Sequence, residues 1–254
     1  MTYTEPTQKS PNVPQLTLPG QAAAPEGPVD TMAMYVMHHA FRRDLAAFAA
    51  AVPATPVEDR ATWRRLQQRW ELFAAVLHKH HSGEDAGLWP MLLDRVDAAG
   101  DAQGRRTLED MEAEHGEIDP TLQACAAGFA RLAEHPQIEG AADERAALAV
   151  RLVAARERLG AHLRHEECDA MALVQHHLTQ EDWEEMVREH FDKGQTPKDL
   201  VRVVPWAVHG LSREQVKQVG GSAGPVLVLA WRLFMKRPFE RRERAAFRYL
   251  PAAA

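Results

Sequence analysis

The chain is expected to be all-α: an antiparallel up-down four-helix bundle with a helical C-terminal extension. Three observations predict this. Four stretches carry an apolar stripe whose steps alternate three and four residues, the seam of a helix packed in a bundle. No stretch shows the period-two alternation of a half-buried strand. The four stretches are long and their connections short, which favours antiparallel neighbours.

Residues 1–29 contain Pro6, Pro11, Pro14, Pro19, Pro25 and Pro28 among few apolar side chains. They read as a Pro-rich, disordered or extended lead-in. The bundle is expected over 30–178. Asp30 suits the N-cap of a first helix that ends before Pro53, with the seam Met34, His38, Phe41, Leu45, Phe48. A second helix starts near Val57, with Glu58 and Asp59 in its first turn. Its seam is Leu66, Trp70, Phe73, Leu77, His80, Glu84, and it must bend or end near Pro90. Gly100 and Gly104 precede a third helix that runs to about Ala133 and is closed by His135-Pro136; its seam is Leu108, Met111, His115, Ile118, Leu122. The fourth runs from about Ala141 to Leu178 along Leu148, Leu152, Ala155, Leu159, His162, Glu166.

After Leu178 the pattern shortens, and 179–254 is expected to form helices packed outside the bundle. Thr179 with Asp182, and Ser212 with Gln215, are spaced as capping pairs. Thr196-Pro197 opens another helix, with Pro at the first helical position. Pro225 opens a last helix carrying Leu229, Leu233 and a basic tail.

A 45% hydrophobic content is enough for a core, and the net charge of −6 argues against general nucleic-acid binding. The segment from Arg232 to Arg248 has seven Lys/Arg and two acids, read as a solvated basic helix. Cys125 and Cys168 are far apart and form no CxxC, so no disulfide framework is expected; Cys125 continues the third seam as a small buried hydrophobe. The longest apolar run, Val226 to Met235, is too short to span a bilayer and contains Arg232. No signal peptide is visible, and a reducing cytoplasm is the expected compartment.

The seams hold four histidines and two glutamates. Burying such groups unpaired costs roughly 2–7 kcal/mol for a neutral polar group. One seam histidine alone reads as a satisfied core histidine; six such residues on four seams read as a metal site. His80/Glu84 and His162/Glu166 each share a helix face at i,i+4, and His38 and His115 add one imidazole each. Nitrogen and oxygen donors without thiolate suit iron or manganese. His39 lies about 100° round the helix from His38 and reads as a supporting or interface residue. His78 and His81 lie off the seam and read as surface or supporting residues. His165 and Asp119 are minor candidates for metal contact, Asp119 also for orienting His115. Tyr35 reads as packing, with a phenolate contact as the alternative. His176 and His177 read as solvated, and Trp70 and Phe73 as core.

Four motifs now stand in order: HHAFRRDL from residue 38, HHSGEDAGLWP from 80, EHGEIDP from 114 and AHLRHEE from 161. Over 30–178 the chain resembles the hemerythrin-like (HHE cation-binding) family, and the C-terminal helices resemble extensions of its actinobacterial members. The resemblance implies a non-haem di-iron centre, two iron ions with an oxo or hydroxo bridge, in a four-helix bundle. Its ligands would be His38, His80, Glu84, His115, His162 and Glu166, with the two glutamates bridging. Oxygen-carrying members have a second histidine where this chain has Asp119, and an acid five residues after the last histidine, where Glu167 stands beside Glu166. The departures imply fewer imidazoles and favour chemistry with hydrogen peroxide, nitric oxide or dioxygen over reversible oxygen carriage. A catalase- or peroxidase-like role in oxidative stress is the first expectation. A non-catalytic oxygen, iron or redox sensor or store is the second, and a metal-free or zinc-filled structural bundle the third.

Overall fold

A computed structural model describes residues 11–134, 139–223, 229 and 231–250. The described residues are helical, with one isolated antiparallel bridge between Val13 and Gly27 and no strand. The bundle is formed by α1 (Met32–Ala54), α2 (Arg60–Gly83), α4 (Ala102–Glu134) and α5 (Ala141–His165). Helices α1 and α5, α2 and α4, and α4 and α5 pack side by side. Beyond α2, the π-helical turn Glu84–Leu88 leads into α3 (Trp89–Ala99); beyond α5, the π-helical turn Glu166–Ala170 leads into α6 (Met171–His177).

The caps explain several boundaries. Asp59 is the N-cap of α2, accepting from Thr62 N at 3.1 Å, so the helix begins three residues later than the sequence reading. Thr31, not Asp30, is the N-cap residue of α1, although Asp30 Oδ1 accepts from Met32 N at 3.0 Å. The first helix does not stop before Pro53 but ends one residue past it. Pro90 neither ends nor breaks the second arm. It falls in the first turn of α3, where the preceding π turn has already shifted the ladder: Trp89 N–H reaches Glu84 O, five residues back. Gly100 closes α3 in the left-handed conformation at φ 70°. The proposed closure at His135-Pro136 lies outside the described residues.

Two apolar cores fill the bundle. In the larger, Phe48, Trp70 and Phe129 meet with ring centroids 5.2–5.3 Å apart. The smaller gathers Tyr35, Trp89, Leu92, Met171 and Trp183. Cys125 is buried in the larger core, and burial pushes its thiol up to about 12. Cys168 is exposed.

The lead-in expectation is corrected over 11–29. This segment is a strap with Leu16, Leu18 and Val29 buried against the bundle. Prolines hold it extended, and its polar backbone finds partners: Val29 N donates to Gln175 Oε1 at 3.0 Å, and Ala22 N donates to Glu167 Oε2 at 2.7 Å. Residues 1–10 lie outside the described residues.

The extension comprises α7 (Gln180–Met186), a π-helical turn Val187–Asp192, α8 (Pro197–Ala207), α9 (Arg213–Ala223), a π-helical turn Trp231–Met235 and α10 (Lys236–Ala246). Both expected capping pairs form their reciprocal bonds, and Thr196 forms a third with Asp199. Pro225 lies outside the described residues. The extension is pinned through a buried carboxylate: Asp44 accepts from Trp206 Nε1 at 2.8 Å, Arg69 Nη2 at 2.9 Å and Arg43 Nη2 at 2.7 Å. Arg69 Nε also donates to Glu243 on α10 at 2.9 Å. Asp44→Ala leaves Arg69 and the Trp206 indole short of a buried acceptor. It is expected to lower unfolding free energy by about 3 kcal/mol in urea titration; a change under about 0.5 kcal/mol, ordinary for a surface site, would show that the network holds nothing.

Candidate metal centre

The four bundle helices bring the six expected residues together between the two apolar cores. His38 comes from α1, His80 from the end of α2, His115 from α4 and His162 from the end of α5; all are buried. Glu84 and Glu166 each open a π turn and are wholly buried. Both histidine–glutamate pairs therefore sit where a helical arm changes its winding, a device frequent at functional sites.

The donor atoms form two sets. One contains His38, His80, Glu84 and Glu166, with ligating atoms within 4.8 Å of one another; the other contains His81, His115 and His162 under the same limit. His38 Nε2 and His80 Nε2 stand 3.3 Å apart, as do His115 Nε2 and His162 Nε2 at 3.2 Å. Within the first set the two carboxylates stand between the His38/His80 pair and the histidines of the second set. Glu84 Oε1 is 3.1 Å from His80 Nε2, and its Oε2 is 3.6 Å from His115 Nε2. Glu166 Oε2 is 3.2 Å from His38 Nε2 and 3.8 Å from His162 Nε2.

His81 corrects the sequence reading. It is 3% exposed, not a surface residue, and its ring stacks on His115 at 3.9 Å. Successive positions on α2 straddle the line to the bundle axis, so His80 turns towards α1 and His81 towards α4. His81 thus places a third imidazole, from α2, beside those of His115 and His162. The adjacent HH at 80–81 was the available signal; seam phase alone discarded it.

The outer ring nitrogens are held by carboxylates, which are acceptors when ionised and so fix the tautomer. His38 Nδ1 faces Glu167 Oε1 at 3.0 Å, and Glu167 is gripped by Arg42 through two bonds of 2.6 and 2.9 Å. His115 Nδ1 faces Asp85 Oδ1 at 2.7 Å, and His162 Nδ1 faces Glu114 Oε2 at 2.7 Å. In each of the three, Nε2 is the ring nitrogen turned inward. Glu167 thus orients a histidine while Glu166 points to the centre. Asp119 is half-buried and joins neither set; Asp85 does the orienting of His115 that Asp119 was expected to do. His165 lies outside the sets and shares Glu114 at 2.9 Å. His39 also lies outside both, and His78 is exposed. Burial pushes the Tyr35 phenol up to about 12, so it keeps its proton at neutral pH in the metal-free chain.

The charges in the cluster are poorly matched. Burial and the neighbouring Glu166 push the Glu84 carboxyl well above the usual range. Burial opposes ionisation of Glu166 as well, but His38 overcomes it and holds that carboxyl at about 2. Burial and the charge on His38 press His80 down to about 3. Burial and His115 press His81 down as well. All four oxygens of Glu84 and Glu166, and both ring nitrogens of His81, are buried without a hydrogen-bond partner. Orphans of this kind each cost about 1–3 kcal/mol in a closed protein. Cations placed between the two sets would satisfy them, and imidazole with carboxylate is a donor set that iron accepts.

The family model for the hemerythrin HHE cation-binding domain matches residues 30–174, more than half of the chain. The chain belongs to the hemerythrin family. The matched region ends within α6, so α7 to α10 lie beyond the family domain. Comparison with curated proteins and with solved structures gives no match. No helix among the described residues is long and apolar enough to cross a membrane.

Proposed function

We propose that this hemerythrin is a non-haem di-iron protein that reacts with small oxidants, hydrogen peroxide first, with nitric oxide and dioxygen as further ligands. The observation that carries the reading is the pair of unpartnered, wholly buried carboxylates between two unequal imidazole sets. Three histidines, His81, His115 and His162, would hold one ion, and His38 and His80 the other, with Glu84 and Glu166 shared. Two iron ions held there would supply the electron changes that disproportionate hydrogen peroxide to water and dioxygen. The two-histidine side is the less saturated one, and His80 borders a cavity of about 570 Å³ through which a small oxidant can arrive. The peroxide reading now rests on that open side and not on a missing imidazole.

The chain's own residues keep the centre dry and rigid. The Phe41 ring packs 5.2 Å from His80, and Trp89 6.4 Å from His115. Glu167, Asp85 and Glu114 hold the imidazoles at their outer nitrogens. Tyr35, with its proton retained beside Glu166 and Glu167, is a buried O–H donor on the α1 side.

A sensor or store is the second reading, favoured by one contact. Phe191 of the extension lies 6.0 Å from the His80 ring, so a change at α2 has a direct route to the C-terminal helices. An oxygen electrode separates the two. Iron-loaded protein given excess peroxide is expected to release many dioxygen molecules per chain, while metal-free protein and Glu84→Gln release none above background. Release of one equivalent or less, with bleaching of the centre, would remove the enzyme and leave the sensor or store. Nitric oxide would then be the ligand to test on the reduced protein.

A further inference from the structure

The cavity beside His80 is larger and more apolar than a diatomic gas or a peroxide needs. Its volume of about 570 Å³ lies within the range of sites for small organic molecules. Its walls come from both parts of the chain: Met34 and Met37 on α1, Leu72 and Val76 on α2, and Val187 and Phe191 on the extension. The extension can approach this closely because α2 and its π turn carry glycine. A Cβ on Gly83 would lie 3.0 Å from the Phe191 ring, and one on Gly87 would meet the His190 ring.

The cavity is not apolar throughout. Lys79, Lys193 and Arg202 line it together with Asp192 and Asp199, and all five are exposed. Lys193 is paired with Glu189 at 3.3 Å. Asp199 Oδ2 is committed to the α8 cap, accepting from Thr196 N at 2.9 Å and Thr196 Oγ1 at 2.7 Å. Lys79 and Arg202 act on Asp199 electrostatically, but neither forms an ion pair among the described residues. An apolar cavity thus opens beside two cations that face one acid, Asp199, whose Oδ2 already accepts the α8 cap bonds.

We propose that this chamber binds a single-chain carboxylate of fatty-acid type, its alkyl chain lying among Met37, Leu72, Val76 and Phe191 and its carboxylate at Lys79 and Arg202. The site adjoins the metal centre but rests on no part of that reading, because its walls and its charged mouth bind with or without metal. A long apolar chain suits the lining, since each methylene removed from water adds to binding. A carboxylate suits the mouth, since lysine and arginine give charge-assisted bonds to it.

Isothermal titration calorimetry of the full chain with dodecanoate tests the proposal, run on metal-free and on iron-loaded protein. One site per chain with a micromolar dissociation constant is expected in both forms. Lys79→Glu changes an exposed residue and should fold; it is expected to weaken dodecanoate about tenfold and to leave dodecanol unchanged. Val76→Trp fills the chamber and is expected to abolish binding of both. Circular dichroism melting checks that it folds, and Val203→Trp, from the opposite wall, repeats the test if it does not. No binding by the parent chain, equal affinity for dodecanoate and dodecanol, or binding that survives both filled variants would each overturn the proposal. Binding only to the metal-free form would overturn it too, as it would mean that dodecanoate occupies the metal centre. A metal centre that fails to load iron while dodecanoate still binds would defeat the functional reading alone.

Discussion

His81→Ala is expected to lose one of the two proposed ions, while His39→Ala retains both. Seam phase would rank these histidines alike, since each follows a seam histidine by one residue. Their surroundings separate them. His81 is buried against His115 and His162 with neither ring nitrogen partnered. His39 is half-buried outside both donor sets, beside Pro19 of the strap. Loss of a residue that merely orients a ligand typically weakens a metal site about 10–100-fold, and loss of a donor should weaken it at least as much. The check is iron per chain by mass spectrometry after dialysis against a weak chelator. Near one ion for His81→Ala and near two for His39→Ala are expected, with His38→Ala reduced as well. Equal iron in the His81 and His39 variants would mean that the three-histidine set is only a packed cluster.

Glu84→Gln and Glu166→Gln should act on both ions, because each carboxylate lies between the two groups of histidines. An amide keeps the shape but loses the charge that two cations share. The second ion is expected to leave first, and the iron-loaded protein to melt lower. If about 2 kcal/mol of binding-linked stability goes, the shift is roughly 4–8 °C for a chain of this size. The metal-free Glu84→Gln variant should melt no lower than the metal-free parent, since burial and Glu166 already favour the neutral form of that carboxyl there. This opposite behaviour with and without metal distinguishes a bridging role from a packing one. Full iron with unchanged melting in both variants would identify Glu84 and Glu166 as ordinary core-edge residues.

The bundle was legible because its signal is local and repeated. Seam residues such as Phe41, Leu45, Phe48, Trp70 and Phe73 recur at the helical period, and their burial is what makes the helices pair. The six seam residues of the centre were legible for the same reason: a polar side chain is conspicuous where the period demands an apolar one. His81 was not, because a side chain just off one seam can lie on the face turned to a third helix. The exchange of roles between Asp85 and Asp119 escaped for a related reason. Asp119 shares a helix with His115, but Asp85 reaches it from the π turn 30 residues earlier.

By itself the sequence determined the fold class, the four seams, the capping pairs and the stretch of chain that carries the hemerythrin domain. These depend on residues a few positions apart, whose spacing is read along the chain. Tertiary structure decided everything that depends on how helices face one another. It divided the donors into sets of three and two histidines, turned Glu166 inward and Glu167 to Arg42, and folded residues 11–29 down as a strap. It also drove Trp206 of the extension into the bundle to meet Asp44, and set Phe191 over His80. Such contacts join residues as far apart as Arg69 and Glu243, 174 positions. They are selected by the burial of whole faces and by the partners that buried polar atoms must find, and no local spacing encodes them.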